Sequence, residues 1–185
     1  MSLTEKEIVS KCQRGETEYY EQLVNKYKRS AYFYALGMVG SVEDALDLSQ
    51  EAFIRAYRSI KRFKPQYQFK NWFFRILTNL CISHLRKKRR RRVEVSTEDK
   101  EGRTMPLPDD HFNPHLLLER KEIMRQLWKA LSELGNKHRE IILLRDFQGL
   151  SYKQIYEILE IPVGTVMSRL HQARSRLRVK MADFM

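Results

Sequence analysis

The chain has 185 residues, with 35 Lys and Arg against 23 Asp and Glu for a net charge of +12, and only two cysteines. That length suffices for one ordinary domain or two small ones, and the charge makes a polyanion the default partner. Lone cysteines without CxxC spacing exclude a disulfide framework or a thiolate zinc site, no apolar run approaches the roughly 18 residues of a membrane span, and the polar start MSLTEKE is not that of a signal peptide.

Strand-like alternation is scarce, so the expected fold is all-α, in a cytoplasmic protein with reduced, buried thiols. Charge is uneven: residues 1–92 carry 20 Lys/Arg against 9 Asp/Glu, residues 93–119 carry 2 against 7, and residues 120–185 carry 13 against 7. An acidic connector therefore lies between two basic blocks. Thr4 with Glu7 forms a capping box that opens a first helix, bearing Ile8, Val9 and Cys12 and closed at Gly15. Thr17 opens a longer apolar pattern, Tyr20, Leu23, Val24, Tyr27, Ala31, Tyr34, Ala35 and Met38, stopped at Gly40. Its tyrosines are expected to pack in the core with their hydroxyls reaching the surface. Ser41, with Asp44 three residues on, caps a helix whose core face is Val42, Ala45, Ala52, Phe53, Ala56 and Ile60, completed by either Leu46 or Ser49. The other face presents Asp44, Asp47, Gln50, Glu51, Arg55 and Arg58, suited to solvent or to a partner's arginines.

Pro65 predicts a loop between Arg62 and Asn71, followed by a helix that buries Phe73, Ile76, Leu77, Leu80 and Leu85 and groups Asn71, Trp72, Arg75 and Asn79 near its start. Aromatic rings interleaved with cations form a single-strand surface, on which each stacked base contributes about 1–3 kcal/mol; Tyr67 and Trp72 are the rings placed for it. The helix ends in seven consecutive basic residues, Arg86 to Arg92, whose mutual repulsion points to phosphate binding. Val93 to Asn113 is acidic and aperiodic with Gly102, Pro106 and Pro108, a linker. His111 and His115 flank Pro114 without a third ligand, so neither a metal nor any cofactor is expected.

Asn113 and Pro114 open a helix bearing Leu117, Leu118, Met124, Leu127, Leu131 and Leu134, ended at Gly135; a further helix covers HREIILLRDF. Ser151 with Gln154 is a second capping box, and Pro162-Val163-Gly164-Thr165 breaks that helix and opens the last one. There Val166, Leu170, Ala173 and Leu177 form one stripe at helical period. Opposite lie Gly164, Ser168, His171, Gln172 and Ser175, flanked by Arg169, Arg174, Arg176 and Arg178, a layout suited to base edges and phosphates in a major groove. An ordinary amphipathic hairpin shares this pattern, so the context decides.

The context is a resemblance. DALDLSQEAFIRAYRSI, followed by WFFRILTNLCISHLRKKRR, resembles the second conserved region of bacterial sigma factors, and ALSELGNKHREIILLRDFQGLSYKQIYEILEIPVGTVMSRLHQARSRL resembles their fourth. With both in this order and no folded region between, the chain is similar to the extracytoplasmic-function (ECF) group. The resemblance implies a second-region domain over residues 1–92, a linker over 93–112 and a helix-turn-helix domain over 113–185. It implies docking on core RNA polymerase, on the beta-prime clamp through Asp47, Leu48, Gln50, Glu51 and Arg55, and on the beta flap. The proximal promoter element, melted and with a base flipped out, would meet Gln66, Tyr67, Gln68, Phe69, Asn71, Trp72, Arg75 and Asn79, and phosphates Arg86, Lys87, Lys88, Arg89 and Arg90. The distal element, as duplex DNA, would meet Gly164, Thr165, Ser168, Arg169, His171, Gln172, Arg174, Ser175 and Arg176. An anti-sigma factor is a further implied partner.

Three positions depart from the family pattern: Leu46 stands where an acid is usual, Tyr156 where a small residue is, and Met167 where Lys or Arg is common. A stand-alone helix-turn-helix repressor or activator is the alternative, but it leaves the aromatic loop and the first domain's docking face unused. An enzyme on nucleic acid needs a carboxylate cluster or a nucleophile with its base, and the acids here are scattered. Two basic domains on an acidic linker also admit a closed, self-masked free form.

Overall fold

The structure is a computed structural model that describes residues 3–94 and 114–182, and every regular element among them is helical. The local signals act where the sequence places them. Thr4 opens α1 (Glu5–Gln13) by accepting the Glu7 amide while the Glu7 carboxylate accepts the Thr4 amide at 2.7 Å. A 3₁₀ turn at Thr17–Tyr19, rather than α-helix from Thr17, leads into α2 (Tyr20–Val39), which ends on Gly40 in the left-handed region. Ser41 caps α3 (Val42–Ser59) by accepting the Asp44 amide. After a 3₁₀ turn at Ile60–Arg62 and the Pro65 loop comes α4 (Phe69–Glu94).

α2, α3 and α4 enclose an aromatic core in which Phe53 stacks on Phe73 at 4.5 Å between ring centres and Tyr34 meets Phe74 edge-on. Two sequence expectations change here, and one open choice is settled. α4 begins at Phe69 instead of Asn71, and this places Phe69 one turn before Phe73 on the core face, 2 % exposed, so Phe69 shapes the surface from beneath and offers no ring to a base. The tyrosine hydroxyls turn inward: Tyr20 donates to the Phe53 carbonyl, Tyr27 to Glu5, and Tyr34 pairs with Thr78 at 2.8 Å. A phenol in the core cannot reach solvent and takes an internal partner, and burial holds the Tyr34 hydroxyl well above its ordinary pKa. On α3, Ser49 fills the core position with its hydroxyl returned to the Leu46 carbonyl, and Leu46 is exposed. Cys12 and Cys81 are free and buried, and burial pushes the Cys81 thiol up to about 12.

The C-terminal half consists of α5 (Pro114–Glu133), α6 (Asn136–Ile142) with a π-helical turn at Leu143–Phe147, α7 (Tyr152–Leu159) and α8 (Val163–Ala182). The predicted stripe of α8 packs inward, Val166, Leu170 and Ala173 being buried with Ile141, Leu144, Ile155 and Ile158. Arg139 is buried at 6 % exposure and donates to the carbonyls of Leu131, Ser132 and Leu134 where α5 ends, the Leu131 carbonyl also accepting the Leu134 amide. Its remaining nitrogen reaches the Met38 carbonyl at the end of α2, 2.7 Å away.

That last bond crosses between the two halves of the chain. α7 lies along the start of α4, and α5, α6 and the π turn lie on α2. Gly37, in the last turn of α2, sits under Leu143 and Trp128, and a methyl group at Gly37 would come within 2.7 Å of the one and 2.8 Å of the other.

Candidate nucleic-acid interface

The helix-turn-helix surface is built by the α7 capping box and a tight turn. Ser151 accepts the Gln154 amide at 3.2 Å and Gln154 accepts the Ser151 amide at 2.8 Å, while Glu160 ends the helix in the left-handed conformation glycine usually fills. With the apolar stripe of α8 buried, Gly164, Ser168, His171, Gln172, Arg174, Ser175 and Arg176 are all exposed, and Thr165 is half-buried. The arginines divide. Arg176 projects beside His138, and Arg174 is exposed but forks onto Asp146, whose carboxylate raises the guanidinium pKa. Arg169 is turned inward at 19 % side-chain exposure, 3.5 Å from Glu140, which is 7 % exposed. Burial raises the Glu140 pKa against the opposing pull of Arg169 and Lys137. Tyr156 points outward at 48 % exposure, and Met167 is exposed on the outer face of α8.

The second surface surrounds the start of α4. Arg62, Lys64, Tyr67, Trp72 and Arg75 line a cleft of about 500 Å³, with Tyr156, Glu157 and Glu160 of the C-terminal half forming its opposite wall. Tyr67 is exposed, and Trp72 is half-buried against Phe63 and Phe69. Gln66 and Asn79 are exposed. Gln68, Asn71 and Arg75 are engaged by α7: Gln154 donates to Gln68 at 2.7 Å, Asn71 donates to Glu157 at 2.8 Å, and Arg75 donates to Glu160 at 2.6 Å. Asn71 is thereby 4 % exposed, and its side-chain oxygen Oδ1 has no partner.

At the basic end of α4, Arg86, Lys87, Arg89 and Arg90 are exposed, whereas Lys88 is drawn back with His84 onto Asp44 of α3, at 3.4 and 3.2 Å. On α3, Asp47 and Gln50 are exposed, Glu51 pairs with Arg55 at 2.6 Å, and Leu48 packs half-buried on the core. The sequence reading missed the apolar part of this face: Leu46 at 45 % and Ile54 at 44 % exposure bracket Gln50 on one helical row. Ile54 falls outside the core period of α3, and an apolar residue out of period was the signal available.

With this geometry in hand, comparison with known proteins identifies the chain. Residues 23–91 match the family model for sigma-70 region 2, and residues 124–177 match that for sigma-70 region 4. The chain is 34% identical to the ECF RNA polymerase sigma factor SigW of Bacillus subtilis, across 99% of this chain and 100% of that protein. It is 30% identical to the ECF RNA polymerase sigma-E factor of Escherichia coli K12, across 95% of this chain and 93% of the other. Among solved structures it resembles the sigma factor RpoE in complex with the anti-sigma factor NepR from Bartonella quintana, with a TM-score of 0.74 at 25% identity over 88% of this chain and 96% of that one. The fold is also that of CnrH in complex with the cytosolic domain of CnrY, with a TM-score of 0.70 at 21% identity over 96% of this chain and 97% of that one. The chain belongs to the sigma-70 family, in its ECF group of RNA polymerase sigma factors.

Proposed function

We propose that this sigma factor directs core RNA polymerase to promoters by holding two DNA elements at once, acting through binding and not through catalysis of its own. The observation that carries the reading is the pairing of two unlike surfaces on one chain: the polar and basic face of α8, shaped for duplex, and the aromatic and cationic cleft at the start of α4, shaped for unpaired bases. Trp72 and Tyr67 supply rings on which a flipped base stacks, and Arg62, Lys64 and Arg75 supply charge for its phosphates. Unstacking a base costs a few kcal/mol, on the order of what one or two such stacks return. The exposed cations Arg86, Lys87, Arg89 and Arg90 extend the phosphate track. For polymerase we assign the outer face of α3, adding Leu46 and Ile54 to Asp47, Gln50, Glu51 and Arg55, since apolar side chains ringed by charge suit a protein partner. Arg169 is assigned to positioning α8 through Glu140, leaving Arg174 and Arg176 for phosphates. A partner that withholds the factor from polymerase fits the same surfaces. No helix among the described residues is long and apolar enough to cross a membrane, and polymerase places the site of action inside the cell.

The test is run-off transcription with core polymerase on promoters that depend on this protein, together with permanganate footprinting. Initiation should be promoter-specific, and Trp72→Ala should abolish permanganate reactivity in the proximal element while duplex binding falls only a few-fold. No gain of specific initiation by core polymerase refutes the reading.

A further inference from the structure

The loop that carries Tyr67 is two tight turns joined at Phe63. In the first, the 3₁₀ turn Ile60–Arg62, the Phe63 amide donates to the Ile60 carbonyl at 3.0 Å; in the second, Pro65 stands at its favoured position and the Tyr67 amide donates to the Lys64 carbonyl at 3.1 Å. The Phe63 ring at the junction is buried and tilts against Trp72, 5.1 Å between ring centres. The course of the backbone at Phe63 therefore sets where Tyr67 stands relative to Trp72.

Gln13, the last residue of α1, reaches across to this junction. Its Nε2 donates to the Ile60 carbonyl at 3.0 Å and to the Phe63 carbonyl at 2.7 Å, at the two ends of the first turn. A primary amide carries two N–H donors on one nitrogen, one for each carbonyl, and turned over it would set oxygen against oxygen. Among the described residues these are the hydrogen bonds that tie α1 to the loop. Packing does not duplicate them at the second turn, where a cavity of about 170 Å³ is lined by Glu5 and Val9 of α1 and by Pro65 and Tyr67 of the loop. α1 itself is firmly seated: Ile8, Val9 and Cys12 are buried, and Glu5 at its other end accepts from the Tyr27 hydroxyl and from Lys26 of α2. An anchored helix thus presents a fixed double donor to a loop with a void on one side.

We propose that Gln13 is a positioning residue for promoter reading: without touching DNA, it holds the turn from Ile60 to Phe63 in place and through Phe63 fixes the spacing of the Tyr67 and Trp72 rings. The proposal rests on the reading of this surface as the single-strand site and adds the part of the chain that keeps it in shape. A recognition surface selects among bases only while its supporting residues hold it to a fraction of an ångström, so a loop released from Gln13 accepts bases less selectively.

The test uses the full-length factor with core polymerase, on a promoter that depends on it and on variants of that promoter carrying each other base at every proximal and distal position. Gln13→Met keeps the length of the side chain and removes both donors, and Gln13→Lys puts donors back. At each position the initial run-off rate on the preferred base is divided by that on the poorest, a ratio that a uniform change in stability or in phosphate attraction leaves alone. In Gln13→Met the ratio at the most selective proximal position should fall about tenfold while distal ratios stay within about twofold, and Gln13→Lys should recover most of the loss. Trypsin should also cut the free factor after Lys61 or Arg62 faster in Gln13→Met than in the wild type. An unchanged proximal ratio, an equal fall at both elements, a Gln13→Lys as unselective as Gln13→Met, or unchanged trypsin cutting each overturns the proposal. Failure of the single-strand reading has a separate signature, a normal permanganate footprint from Trp72→Ala holoenzyme, whereas a footprint that depends on Trp72 beside an unchanged proximal ratio in Gln13→Met sinks the positioning role alone.

Discussion

Replacing Arg139 with Met keeps a long unbranched stem and removes the guanidinium that serves four carbonyls, three at the end of α5 and one at the end of α2. Each such charge-assisted bond is worth about 1.5–3 kcal/mol, and each carbonyl left buried without a donor costs about 1–3 kcal/mol. These do not add, because removing the charge also removes the penalty of burying it, and water or local fraying rescues part of the set. A net loss of about 3 kcal/mol follows, which for a chain of this size lowers Tm by about 6–12 °C. Urea titration followed by far-UV circular dichroism measures it, with Arg139→Lys as the companion, since one ammonium nitrogen cannot span four acceptors and should restore only part of the loss. A change below about 1 kcal/mol for Arg139→Met refutes the reasoning, because the α5 carbonyls would then be satisfied without the guanidinium.

The arginines of α8 should separate by function: Arg174→Ala and Arg176→Ala in the holoenzyme should each make the log–log salt dependence of promoter binding shallower by about 1, and Arg169→Ala should leave that slope unchanged while lowering Tm. Equal slope changes for all three contradict the inward placement of Arg169. Glu140 has its pKa raised by burial, so the folded chain keeps this proton to higher pH than the unfolded chain does. The stability of the wild type relative to Glu140→Gln should therefore be greatest at low pH and fall as pH rises through the ordinary carboxylate value and on to the raised one, then level off. Denaturation midpoints of the two proteins that run parallel between about pH 4 and pH 7 exclude the effect.

The parts of the fold that could be read from the sequence are those in which both partners of an interaction lie within a turn or two. The capping boxes at Thr4 and Ser151 and the stripe Val166, Leu170 and Ala173 are of this kind, as is the stop at Gly40. Periodicity alone could not choose between Leu46 and Ser49, since either completes the stripe on α3; the packed core takes the smaller Ser49, its hydroxyl satisfied within the helix, and leaves Leu46 outside. Pro65 predicts a loop that takes in Phe69, yet the spacing of Phe69 from Phe73 fits the core, where it is buried. What remained hidden was long-range. Arg139 and Glu140 look like ordinary members of a charged helix until the fold buries them, and Gly37 looks like one more small residue until Trp128 and Leu143 arrive from the other half of the chain. The candidate site follows the same division: the outer face of α8 was legible as a pattern, whereas the engagement of Asn71 and Arg75 by α7 joins positions 85 or more residues apart.

The two cysteines, both in the N-terminal half, make that half self-reporting. Only the thiolate reacts, and burial, which pushes the Cys81 thiol up to about 12, keeps it protonated at neutral pH inside a side chain no reagent can touch. Cys12, at 4 % exposure and also shifted up by burial, is protected in the same way on α1. Any modification by a thiol reagent therefore clocks an opening event: α1 lifting away for Cys12, the core around α4 coming apart for Cys81. The ratio of the two labelling rates in the wild-type chain measures, without a single substitution, how much more readily its edge frays than its centre.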